Sequence, residues 1–73
     1  MSKIKVGQIY GHRHAGENII IVVTKIKVNG IFYCIKNNGT VGCRWRSHFD
    51  NYDLIAEYPT WQEAVNSKEF NNG

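Results

Sequence analysis

The sequence predicts a mainly β domain in which five short antiparallel strands bend into a small barrel, with a short helix at the C-terminus. Three observations predict it. Among the branched aliphatic residues, Ile and Val dominate and Leu54 is the lone leucine; β-branched side chains suit a pleated, half-buried surface. Asn-Gly pairs at 29–30 and 38–39 punctuate the apolar runs, as hairpin turns do. At 73 residues the chain makes one domain, 1–73, which buries only about 60% of its unfolded surface.

Val6 to Tyr10 alternates as a first strand. Gly11 to Asn18 reads as a loop by its glycines and polarity. Ile19 to Val28 is the longest strand, with Ile26 and Val28 on one side and Lys25 and Lys27 on the other. Asn29-Gly30 supplies a two-residue turn into Ile31 to Lys36. Asn37-Asn38-Gly39 leads on to Thr40 to Arg46. Ser47 to Asp53 is polar, and Leu54 to Tyr58 is the last strand.

The second turn decides which residues face outward. A two-residue loop at Asn38-Gly39 aligns Arg44 and Arg46 with Ile31, Tyr33 and Ile35, and burying two charges costs several kcal/mol. A three-residue loop with Gly39 left-handed shifts the pairing by one and exchanges the faces. Val41, Cys43 and Trp45 then share an inner face with Ile31, Tyr33 and Ile35. Lys25, Lys27, Phe32, Cys34, Lys36, Gly42, Arg44 and Arg46 share the outer one.

Pro59-Thr60-Trp61-Gln62-Glu63 reads as a helix start, with Thr60 as N-cap and Glu63 completing a capping box. The helix covers about 60–69, with Trp61, Ala64 and Val65 on one face, and is too short to stand alone. Asn71-Asn72-Gly73 is expected to fray. Five strands, tight hairpins and one terminal helix fit an SH3-like barrel, and an OB-like barrel is the alternative.

Val6-Gly7-Gln8-Ile9-Tyr10, Val22-Val23-Thr24-Lys25-Ile26, Tyr33, Gly39, Trp45, Phe49 and Leu54-Ile55-Ala56-Glu57 together form a pattern similar to small SH3-like barrel proteins of bacteriophages and bacterial mobile elements. The segment Tyr58 to Ser67 resembles C-terminal segments of other short phage proteins. The resemblance implies an accessory phage protein acting in a bacterial host, and it carries over no catalytic or binding residues. The glycine pattern of ribosomal KOW motifs is absent.

Charge is the strongest functional signal. Residues 1–49 sum to +7 and residues 50–73 to −4, and no acid stands between Glu17 and Asp50. Such a split concentrates a basic face. In the register above that face carries Lys25, Lys27, Lys36, Arg44 and Arg46 around Phe32, a pattern that suits a nucleic-acid strand or an acidic host protein. A second aromatic concentration, Tyr52, Tyr58, Trp61 and Phe70, either fastens the helix to the barrel or, as Tyr58, Trp61 and Phe70 with Val65, forms an alternative docking surface for an inhibitory or host-takeover role. The opposed charges would also favour head-to-tail self-association.

No catalytic motif competes with this reading. Paired carboxylates, a phosphate loop and a serine nucleophile motif are missing, so a non-enzymatic module without cofactor is expected. His12 and His14 stand two apart, but only His48, Cys34 and Cys43 could complete a metal set, and the cysteines fall on opposite faces. The run Ile19 to Val23 is far shorter than a membrane span. The N-terminus lacks an apolar signal core. A cytoplasmic protein with reduced thiols is expected, in the host cell if phage-encoded.

Overall fold

The computed structural model describes residues 4–71. One antiparallel sheet is built from β1 (Gln8–His14), β2 (Glu17–Ile26), β3 (Ile31–Lys36), β4 (Val41–Trp45) and β5 (Asp53–Glu57). A 3₁₀ turn (Arg46–Asn51) precedes β5, and helices α1 (Trp61–Val65) and α2 (Lys68–Asn71) follow it. The strand order is β4-β3-β2-β1-β5. Three successive hairpins thus end with β5 returning beside β1, the SH3-like arrangement rather than the OB-like one.

Both faces of the central strand are covered. Ile20, Ile21, Val22 and Val23 are all buried, as a strand packed on two sides requires. On one side, Ile21 and Val23 join Tyr10, Phe32, Cys34 and Phe49. On the other, Ile20 and Val22 join Ile9, Ala64 and Phe70, with Ile35, Ala56, Tyr58, Trp61 and Val65 packed against them. We call these the Phe49 face and the helix face.

Four local expectations are corrected. Residues 11–18 are not a loop: β1 runs on to His14 and β2 begins at Glu17, joined by Ala15 and Gly16 at φ 51° and 82°. Positive φ at both central residues matches the twist of a two-residue hairpin. The Asn29-Gly30 turn spans three residues, because Lys27 and Ile31 already pair and the Gly30 N–H donates to the Lys27 carbonyl at 3.1 Å. The terminal helix is divided at Asn66-Ser67, where the Ser67 hydroxyl donates to the Ala64 carbonyl and accepts from Phe70 N–H. Asn71 does not fray: its amide donates to the Val65 and Ser67 carbonyls at 3.0 and 2.8 Å. Asn72 and Gly73 lie outside the described residues.

The N-cap is as expected. Glu63 N–H donates to Thr60 Oγ1 at 3.2 Å. The glutamate carboxylate accepts from the same hydroxyl, where the expected capping box would place it on the Thr60 backbone N–H. Tyr58 OH donates to Glu69 Oε1 at 2.5 Å and ties the end of β5 to α2.

Candidate functional site

The β3–β4 register is the one the three-residue turn dictates: Phe32 lies opposite Arg44, Tyr33 opposite Cys43 and Ile31 opposite Trp45. The faces, however, are reversed. The Asn29-Gly30 turn is three residues long, and the β2–β3 register shifts between Val23 and Lys25. Ile26, Phe32 and Arg44 therefore share the Phe49 face, as do Val23, Cys34 and Gly42. Lys25, Tyr33 and Cys43 form a row on the helix face, and Lys27, Ile31 and Trp45 form the next.

Phe32 is consequently core. Its ring meets Phe49 edge-on, with centroids 5.3 Å apart, and cannot stack on a ligand. Cys34 points inward and Cys43 outward, the reverse of expectation; both remain free thiols. Burial pushes the Cys34 thiol up to about 11, so it stays protonated and unsuited to nucleophilic work.

The expected basic face is split between the two sides of the sheet. Lys36 and Arg44 lie on the Phe49 face. Arg44 avoids burial of its charge by reaching to the rim, where Nε donates to Tyr52 OH at 3.3 Å and Nη1 to the Cys43 carbonyl at 2.9 Å; a long stem permits this. Arg46 opens the 3₁₀ turn and lines a shallow depression with Ile4, Tyr10 and Phe49. Lys25 and Lys27 stand on the helix face instead, and Lys27 Nζ lies 5.8 Å from the centre of the Tyr33 ring.

That part of the helix face is open. The short helices cover β1 and β2 and leave β4 bare: Val41 is 66% and Trp45 56% exposed, and Cys43 is exposed. Two rings, Tyr33 and Trp45, thus share one surface with Lys25 and Lys27. Trp45 is positioned from below, where its backbone N–H donates to His48 Nδ1 at 3.0 Å at the start of the 3₁₀ turn. The alternative docking residues are engaged elsewhere. Phe70 is buried, and Tyr58, Trp61 and Val65 pack on the second core.

His12 and His14 do not meet the cysteines in a metal site. The His12 ring stacks on Tyr52, and no cluster of three or more metal-ligating side chains occurs among the described residues. No described helix is long and apolar enough to cross a membrane. No protein-family model, curated protein or solved structure matches the chain.

Proposed function

We propose that the chain is a non-enzymatic binding module that takes single-stranded nucleic acid on the open helix face of β2, β3 and β4. The carrying observation is the juxtaposition of exposed Trp45 and half-buried Tyr33 with Lys25 and Lys27, in adjacent cross-strand rows. Rings stack on bases whatever the sequence, and ammonium groups neutralise phosphates. This is the chemistry expected of the basic face, carried by Trp45 and Tyr33 in place of Phe32. By the resemblance to phage proteins, the module acts in the cytoplasm of a bacterial host.

Titrating labelled single-stranded and duplex oligonucleotides at low and moderate salt tests this. The expected result is single-strand binding that weakens steeply with salt and is weakened further in Trp45→Ala by the loss of one stacking ring. Absence of binding at low salt overturns it. A nuclease-resistant complex with an acidic host protein would assign the same surface to the protein target instead.

A further inference from the structure

The Phe49 face carries a second cationic group, separate from the surface just described. His12 on β1 and Arg44 on β4 come together because the sheet bends: Tyr52 stacks on His12 at 4.2 Å and accepts from Arg44 Nε at 3.3 Å. Lys36 on β3 enters the same face across β2, pairing Ile21 where His12 pairs Ile19. Arg44, His14 and Lys36 all act electrostatically on the His12 ring. The floor beside Arg44 is bare. Gly42 lies across from Cys34, between Arg44 and the turn after Lys36, and a Cβ built there meets only Arg44 Nη1, at 3.4 Å. His12 Nε2 is buried with no hydrogen-bond partner, alone in that respect among the described side chains. An unsatisfied buried nitrogen is costly, and it stands here among positive charges.

We propose that His12, Lys36 and Arg44, over the open floor at Gly42, form a site for a phosphate group. Three cationic or protonatable side chains from three strands suit a doubly charged tetrahedral oxyanion, and Arg44 offers planar N–H donors to its oxygens. The phosphate belongs either to the free ion or to a nucleoside monophosphate.

Binding is coupled to the proton on His12. Desolvation holds its pKa low, and Arg44, His14 and Lys36 lower it further. An anion at the site opposes the charge effects, so phosphate favours the imidazolium and the imidazolium favours phosphate, while the ion's own protonation works against binding in acid. The groups around the ring are Arg44 from β4, Lys36 from β3, Tyr52 leading into β5 and His14 on β1 itself; Arg13 and the carboxylate of Asp53 on β5 line a cavity with His12, and on β2 the nearest acid is Glu17, across from His14.

The test is a histidine-ring NMR titration of the whole chain in inorganic phosphate and in chloride at equal ionic strength. Phosphate should raise the His12 pKa by about one unit. Gly42→Val, which fills the floor at a φ open to any residue, should abolish that rise with the backbone spectrum otherwise preserved. Lys36→Gln should weaken phosphate binding about tenfold, as loss of a charged hydrogen bond does. A nucleoside 5′-monophosphate acting more tightly than phosphate assigns the nucleotide source; equal action assigns the free ion. Equal His12 pKa values in phosphate and chloride, a rise that survives Gly42→Val, or an equal response to the unphosphorylated nucleoside overturns the site. Trp45→Ala should leave the phosphate response unchanged, so this site and the nucleic-acid surface fail separately.

Discussion

The imidazole of His12 lies parallel to the phenol of Tyr52, with ring centroids 4.2 Å apart and 16° between the planes. The stack joins β1 to the residue before β5. The Tyr52 hydroxyl extends the connection to Arg44 on the edge strand β4. Tyr52→Phe should keep the stack and lose the arginine bond, at about 1 kcal/mol. Tyr52→Ala should cost more, since it also strips the rim of Phe49, whose ring lies 5.1 Å away. Equal urea midpoints for the two variants would show that only the hydroxyl matters.

His12 gives the fold an acid-side sensitivity. Its folded pKa is lowered, first by desolvation and then by Arg44, His14 and Lys36, from an ordinary 6.5. The unfolded chain therefore binds the proton more readily. The His12 contribution is fully present above about pH 6.5 and is lost as pH falls toward the folded value. In phosphate-free buffer, the urea midpoint should drop between pH 7.5 and 5.5 in the native chain and drop less in His12→Phe, which keeps a ring against Tyr52. Parallel curves would remove His12 as the cause.

Gly7 is a position where only glycine fits. Its φ is +96°, and a Cβ there would fall on the Tyr58 carbonyl oxygen, while Gly7 N–H bonds Val23 and its carbonyl accepts from Tyr58 N–H. Gly7→Ala should destabilise by about 2–3 kcal/mol. Gly39→Ala meets open space at φ +87° and carries the backbone cost alone, about 1 kcal/mol. Thermal melts of the two variants check the ranking.

The thiols should differ sharply. Cys43 is exposed and Cys34 buried, with Cys34 pushed up to about 11. Under native conditions at pH 8, a thiol reagent should modify Cys43 promptly and Cys34 only as fast as the domain opens. Comparable rates for both would contradict the face assignment of β3 and β4.

What the sequence disclosed and what it hid both trace to the turns. The three-residue turn at Gly39 was legible, and with it the pairing of Phe32 with Arg44, although the ground for it, keeping Arg44 off the core face, does not hold: Arg44 lies opposite buried Phe32. The same pattern stands one hairpin earlier: Lys27-Val28-Asn29-Gly30 repeats Lys36-Asn37-Asn38-Gly39 at identical spacing. In both, Asn accepts from the backbone two residues on, and Gly closes the bulge at positive φ. Asn-Gly alone also fits a two-residue loop, and the identical spacing of the two segments is what ties one turn to the other. The irregularity at Thr24 has no comparable mark; its hydroxyl simply donates to the Tyr33 carbonyl. Together these two features turned the faces over and divided the basic residues. The open half of the helix face was hidden for another reason. It follows from how little sheet two one-turn helices can cover, a property of tertiary packing rather than of local pattern.

Phe32 and Trp45 now separate stability from binding. Phe32 is 7% exposed and packs on Phe49, so Phe32→Ala should cost about 3–5 kcal/mol as a core truncation. Trp45 is 56% exposed, and Trp45→Ala should leave stability within about 1 kcal/mol of native while weakening single-stranded binding by roughly 1–3 kcal/mol through lost stacking. Lys25→Ala and Lys27→Ala should lower affinity for all sequences alike, each flattening the salt slope by about one unit. Lys36→Ala, on the opposite side of the sheet, should leave that slope close to native. If Lys36 and Lys25 contribute equally to the slope, the strand does not follow the helix face, and the binding surface has to be sought around β4 on both sides.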